Sequence, residues 1–319
     1  MKELIILGNG MAGMTAALYA KRANLDFKIV GRDEYDFGQI NNAILVENFP
    51  CVEPVSGADL AMKLHDQLET NGIKIEEHEI TKVLKSPLAT NPKCYRVEYS
   101  DGRYDEAKSI IYALGARHRE LDCEIDKDVP IHYCALCDGA FYKDKRVAII
   151  GGGDVAFTQA EYLSKICKSV CILMCDRNVT ATPSTFDRVS KIENVEIKYD
   201  YIIDKIVKNP QTKGVSIFRK VPDDGNARLL GVGADGIFVA IGMIPNTEQI
   251  DNSLGVLNVN YYVSATDDCS TSTKGFFAAG DVRTKKMRQA ITAASDGANA
   301  VQSAINYINY YWMAKNEWF

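Results

Sequence analysis

The sequence predicts an α/β chain of two similar units, the second inserted in the first, and three observations predict it. A strand, a glycine turn, a helix and a second strand can be read at the N-terminus and again from about residue 146. Two alike apolar runs, residues 110–116 (IIYALGA) and 237–243 (IFVAIGM), flank the second occurrence and read as the two crossings between units. The length, 319 residues, exceeds the ~250–300 at which one hydrophobic core stops growing. The units are therefore placed at residues 1–115 with 244–319, and at residues 116–243.

In chain order, Leu4 to Leu7 make an apolar strand, Gly8-Asn9-Gly10-Met11-Ala12-Gly13 the turn, an Ala-rich helix runs to about Lys21, and Phe27 to Val30 make the next strand. In the second unit Val147 to Ile150 form the strand and Gly151-Gly152-Gly153-Asp154-Val155-Ala156 the turn. A helix then runs to about Ile166, and Val170 to Met174 follow as a strand. Glycines at such a turn let backbone N–H groups approach a pyrophosphate at the positive end of the helix. Both units therefore read as dinucleotide-binding, Rossmann-like domains. Residues 276–282 (FFAAGDV) are another buried strand, and the helical spacing of residues 283–308 returns the chain to the first unit.

With 46% hydrophobic and 25% charged residues and a net charge of -5, the chain has material for packed cores and no global basic excess. Nucleic acid is not expected as a partner on that ground. No stretch reaches ~18 unbroken apolar residues, and MKELIILGNG runs from a strand straight into glycines without a signal pattern. No membrane partner is expected, and the location is expected to be cytoplasmic.

Nine cysteines in such a protein argue against a structural disulfide framework, because cytosolic thiols are held reduced. Cys167, Cys171 and Cys175 recur every four residues but read as a helix end followed by a strand, not as an iron–sulfur site. Cys134 and Cys137 differ. A CxxC pair brings two sulfurs within disulfide reach, and a nearby helix N-terminus lowers a thiol pKa toward neutrality. Asp138, next in sequence, can deliver or accept the proton that accompanies an electron pair. Zinc is not expected, since no second CxxC or His pair completes four ligands. His132, two residues before the pair, is expected to be an ordinary structural histidine rather than a modulator of Cys134.

Taken in order, GNGMAG, GQI (38–40), VENFP (46–50), CALCDGAFY (134–142), GGGDVA, AIGMIPNT, AAGDV and RQAITAASDGA resemble the low-molecular-weight bacterial thioredoxin reductases over nearly the whole chain. The resemblance implies FAD along the first unit, a dithiol and an NADPH site on the second, and a homodimer. Gly8, Gly10, Ala12 and Gly13 would then hold the FAD pyrophosphate, while Gly38, Gln39, Asn48, Ala113, Gly115 and Gly280 would line the cofactor. Asp281 would meet its ribityl or pyrophosphate region, and Arg288, Gln289 and Ala290 would lie beside the flavin ring. Cys137 would face the flavin, Cys134 would attack the disulfide of a thioredoxin-like protein, and Asp138 would be the acid.

One stretch departs from that family. Its usual His-Arg-Arg-x-x-x-Arg cluster for the 2′-phosphate reads here Met174-Cys175-Asp176-Arg177-Asn178-Val179-Thr180. Charged hydrogen bonds are worth ~1.5–3 kcal/mol each, so losing two or three weakens NADPH binding by roughly 10²–10⁴-fold or more. Val155 stands where the family has a hydroxyl, and Thr158-Gln159 replace Glu-Glu. NADH, with Asp176 on its ribose, or a second flavin in the old nucleotide pocket is the alternative donor arrangement. Another class of function, a redox-sensing flavoprotein, would show no catalytic turnover.

The pattern is most like the ferredoxin-dependent flavin thioredoxin reductases, which implies ferredoxin as donor. Plant-type ferredoxins sit near -400 mV and thioredoxin near -270 mV, so two electrons fall through roughly 130 mV, about 6 kcal/mol. Arg283, Lys285, Lys286 and Arg288 would form a cationic docking cluster for it. The aromatic tail, Tyr310 to Phe319, is expected to cover either the flavin face or a dimer interface, with Trp312, Trp318 or Phe319 as the stacking residue.

Overall fold

In the computed structural model, the apolar run Lys2–Leu7 lies at the centre of a seven-stranded sheet. The structure describes all residues except 44–45, 87–93, 210–213, 220–230 and 314–319, with backbone alone for 311–313. Lys2–Leu7 pairs in parallel with Phe27–Gly31 on one side and with Tyr104–Tyr112 on the other. Both faces are covered, so its last four residues are all fully buried and the strand reads as a continuous apolar run instead of alternating. Ile75–Glu77 extends the parallel order on the far side of Phe27–Gly31. On its other edge Tyr104–Tyr112 is long enough to serve two neighbours, antiparallel to Tyr95–Tyr99 near its start and parallel to Phe276–Ala278 at its end. The sequence placed a strand at 110–116; the observed one starts earlier because this antiparallel meander extends it, and it ends at Tyr112.

The chain forms two compact units, Met1–Arg117 with Ile244–Phe319, and His118–Met243. In the first, the helices Met11–Arg22 and Ala290–Asn306 lie together over one face of the sheet. The small residues of both permit the approach: a Cβ on Gly297 would lie 2.2 Å from the Ala12 carbonyl oxygen. In the second unit, Val195–Lys198, Ser169–Leu173, Arg146–Ile150, Gly236–Val239 and Ile131–His132 form a five-stranded parallel sheet. Its helix Asp154–Ser164 buries Ala156, Phe157, Ala160 and Leu163 at helical spacing against that sheet. Each large apolar side chain so buried contributes roughly 1.5–3 kcal/mol.

The segment 283–288 corrects one expectation. Arg283 is buried, and its Nε and Nη2 donate to the Asp296 carboxylate at 2.9 and 2.7 Å. Lys285 Nζ donates to the same carboxylate at 2.9 Å, and the Gly280 N–H donates to it at 3.0 Å. These two cations face inward because Asp296, on the final helix, is itself buried and needs them. Of the four proposed docking cations only Lys286 is exposed, and Arg288 lies partly buried 4.5 Å over the Tyr262 ring.

Breaking a buried ion pair on one side typically costs about 3–5 kcal/mol, so Asp296→Ala is expected to destabilise the fold by about that much in urea unfolding. Burial pushes the Asp296 carboxyl up, but the bonds from Arg283 and Lys285 outweigh it and hold it below its ordinary value. A depressed carboxyl contributes stability above its unfolded pKa of about 3.9 and loses it as pH falls through the folded value. The difference in unfolding free energy between wild type and the variant should therefore shrink below about pH 4; a difference constant down to pH 2 would contradict the assignment.

Candidate active site

The first glycine turn is built by close approach. Gly8 has φ +105°, and a Cβ there would lie 2.4 Å from the Ala113 carbonyl oxygen. A Cβ on Gly13 would lie 1.8 Å from the carbonyl oxygen of Gly8 itself. The helix Met11–Arg22 starts from Gly10 with no side chain capping it, so its first N–H groups are left for an external acceptor. Around this turn the fold gathers the residues expected to hold the cofactor. Phe37, leading into the Gly38–Asn42 turn that carries Gln39, approaches Gly10 with its carbonyl oxygen, 3.3 Å from where a Cβ would stand. Gly280 lies against Ala12, and Gly115 follows Ala113 in the loop after Tyr104–Tyr112. Asn48 Nδ2 donates to Gln289 Oε1 at 3.2 Å, immediately before Ala290 opens the final helix.

Two polar atoms in this region are buried without a hydrogen-bond partner, Asp281 Oδ1 and Arg288 Nε. The nearest cation to Asp281 Oδ1 is Lys285 Nζ at 3.8 Å. Burial pushes the Asp281 carboxyl up against the pull of Lys285 and Arg288. An orphaned acceptor and an orphaned donor beside an uncapped helix start fit a ligand with a pyrophosphate and hydroxyls, as FAD has. These residues would hold FAD, which when bound carries electrons between a donor and a disulfide. Gly13→Ala forces the Gly8–Gly13 turn apart, and the purified variant is expected to carry less than about a tenth of wild-type flavin per chain. Full flavin content, read from absorbance, would contradict the turn's role.

In the second unit Cys134 and Cys137 are joined as a disulfide, with Cα atoms 5.3 Å apart. Cys134 is the N-cap of the single helical turn Ala135–Asp138, and its Sγ accepts the Cys137 N–H at 3.2 Å. After reduction that N–H favours thiolate over thiol at Cys134. Asp138 is buried; its Oδ2 lies 3.1 Å from His132 Nδ1, and its Oδ1 has no partner. Leu136, between the two cysteines in sequence, and Phe141, four residues after the second, are exposed apolar side chains.

The second glycine turn repeats the backbone of the first but not its surroundings. Gly151 has φ +146° and abuts the Ala240 carbonyl oxygen, yet the Gly152 carbonyl accepts the Thr180 and Ala181 N–H groups at 3.0 and 3.2 Å. Asp154 stands in the first turn of the helix, and its Oδ1 accepts from the Thr182 N–H at 2.8 Å and Oγ1 at 3.0 Å. Arg177 Nε is paired with Asp200 at 2.8 Å, and Asp176 Oδ1 accepts the Asn178 N–H. Gln159, one of the residues departing from the family pattern, has another use: its Nε2 donates to the Tyr133 carbonyl oxygen at 3.0 Å, anchoring the chain just before Cys134. Nothing in the spacing of Gln159 and Tyr133 announces that bond.

Side chains of Trp312, Trp318 and Phe319, proposed to stack on the flavin, lie outside the described residues. Among the described residues no helix is long and apolar enough to cross a membrane.

A glycine-turn unit fit for FAD and a second unit bearing a CxxC disulfide define a flavin-linked disulfide oxidoreductase. Residues 2–297 match the family described as pyridine nucleotide-disulphide oxidoreductase, and the chain belongs to that family. It is of the thioredoxin-reductase type, and FAD is its cofactor. It is similar to a 34.2 kDa protein in a rubredoxin operon of Clostridium pasteurianum, 36% identical over 96% of this chain and 97% of that one. The thioredoxin reductase of Listeria innocua is 33% identical over 96% and 93%. The crystal structure of thioredoxin reductase from Streptococcus pyogenes matches with a TM-score of 0.83 at 32% identity, covering 97% of this chain and 98% of that one. A ferredoxin-flavin thioredoxin reductase from Clostridium acetobutylicum matches at 23% identity with a TM-score of 0.52, over 98% and 99%; that likeness shows the fold alone.

Proposed function

We propose that the protein reduces thioredoxin or a similar small dithiol protein through Cys134 and Cys137, drawing electrons from ferredoxin rather than NADPH. FAD is held by the unit of residues 1–115 and 244–319. The dithiol unit, 116–243, keeps a nucleotide-binding backbone without a phosphate grip. The observation that carries the donor reading is the second glycine turn. Arg177, the one cation in the 174–180 stretch, is bound to Asp200, and the helix start carries the Asp154 carboxylate where a phosphate would need positive potential. A two-electron gap left by the nicotinamide is filled by a low-potential one-electron carrier, whose ~130 mV advantage over thioredoxin supplies the driving force.

Docking rests on fewer cations than the sequence suggested, chiefly Lys286, so its salt dependence should be shallow. By resemblance the enzyme is a cytoplasmic homodimer. The test is anaerobic turnover: the flavin should bleach with reduced ferredoxin and reoxidise as thioredoxin thiols form. Bleaching by NADH or NADPH in place of ferredoxin would reverse the donor assignment, and a flavin that bleaches without producing thiols would make the protein a sensor.

A further inference from the structure

Beside the disulfide, three buried side chains form a chain of hydrogen bonds. Tyr142 Oη lies 2.6 Å from His132 Nε2, and His132 Nδ1 lies 3.1 Å from Asp138 Oδ2. All three residues are less than a tenth exposed. Burial, with the charges of Asp138 and Asp235 nearby, pushes the Tyr142 phenol up to about 12, so it keeps its proton and donates it. Nε2 is then the acceptor, and the imidazole carries its hydrogen on Nδ1, pointing at the Asp138 carboxylate.

The strand Gly236–Val239 shapes the slot. Phe238 lies with its ring centroid 5.2 Å from that of His132 and 5.6 Å from that of Tyr142. A Cβ on Gly236 would stand 2.1 Å from the Tyr142 ring, so only glycine there admits the phenol. The Asp138 oxygen turned away from His132, Oδ1, is buried with no partner at all.

We propose that His132 is the positioning residue of the dithiol's acid: fixed by Tyr142 on one nitrogen, it holds Asp138 Oδ2 with the other and leaves Oδ1 as the sole oxygen for proton exchange with the cysteine pair. The inference rests on the reading above, in which Asp138 is that acid.

The exchange balances as follows. The Cys134 thiolate attacks one sulfur of the partner's disulfide, whose S–S bond breaks, and the departing partner thiolate takes the proton of the Asp138 carboxylic acid. The Cys137 thiol gives its proton to the Asp138 carboxylate as it attacks Cys134 Sγ, and the second partner thiolate leaves and receives that proton. Two electrons and two protons pass from the enzyme to the partner. By donating to Oδ2, His132 fixes the carboxyl group between these transfers and leaves Oδ1 to take up and give each proton.

The charged and titratable groups around His132 are Asp138 and Tyr142 on the dithiol segment, Lys145, whose Nζ is 5.5 Å from the Tyr142 ring, and Asp235 before the Gly236 strand. From the helix Asp154–Ser164, Tyr162 faces Gly139. The holoenzyme is reduced with dithionite and mixed anaerobically with excess oxidised thioredoxin. The reaction is quenched in acid, and new thioredoxin thiols are counted by alkylation from acid to alkaline pH.

His132→Phe should slow the single turnover by roughly 10- to 100-fold, because Asp138 loses the donor that fixes it. Tyr142→Phe, which keeps the ring and its packing, should slow it by a smaller factor. In His132→Asn the amide can still donate to Oδ2, and the rate should return toward that of wild type, a rescue that a purely packing role would not give. Asp138→Asn should be nearly inactive at every pH. Unchanged rates in the His132→Phe and Tyr142→Phe variants beside an inactive Asp138→Asn would overturn this proposal alone. A full rate in Asp138→Asn would remove the acid itself, and with it both the reading and the proposal.

Discussion

Cys134→Ser should lower the rate of thioredoxin reduction on the order of 10³-fold or more while FAD stays bound, because a serine hydroxyl at neutral pH cannot replace a thiolate in disulfide exchange. The geometry makes the loss specific to Cys134. Its sulfur accepts the Cys137 N–H and caps the one-turn helix, so it is the sulfur that the local dipoles stabilise as thiolate. The residues proposed to hold FAD lie in the sequence-distant unit of Met1–Arg117 and Ile244–Phe319, so flavin content should not change. Cys137→Ser should differ in kind, trapping a stable mixed disulfide with thioredoxin through Cys134, visible on non-reducing gels. Full turnover in Cys134→Ser, or a mixed disulfide trapped through Cys134 only when Cys137 is intact, would sink the assignment.

Converting Cys175 and Asp176 together to arginine should tighten NADPH binding by roughly 10²-fold or more, and should make the flavin reducible by NADPH. Both positions are exposed, so the new guanidinium groups disturb no packing. The exchange removes the Asp176 carboxylate and supplies two forks suited to a phosphate. NADPH is expected to bind the unaltered chain too weakly for micromolar concentrations to bleach its flavin. Titration under anaerobic conditions measures both affinities. Micromolar affinity in the unaltered protein would overturn the donor reading, and no gain in the double variant would show that the Asp154–Thr182 bonds and the Thr180 N–H on Gly152 close the turn irrespective of charge.

The sequence by itself determined the parts of this protein whose physics is short-range. Strand, turn and helix at residues 4–30 and 147–174 could be read because a strand buried on both faces must be uniformly apolar, and because chain folded back on itself tightly leaves no room for a Cβ. Gly13, facing the carbonyl of Gly8 five residues earlier, is such a case. The CxxC was legible because two sulfurs three residues apart need nothing beyond one helical turn to meet. Helix ends moved by a residue or two, to Arg22 and Ser164, since fraying at an end depends on what packs there.

The tertiary structure decided what each charge and each polar side chain answers to. Arg283 and Lys285 sit in a cationic stretch that reads as surface, and only the folded chain brings the buried Asp296 of the final helix against them. A cation's direction is set by the partner that offsets its desolvation, and that partner has no fixed spacing. His132 reads as a bland histidine for the same reason: its bonds to Asp138 and Tyr142 need the strand Gly236–Val239, about a hundred residues away in sequence, to supply the glycine that admits the phenol.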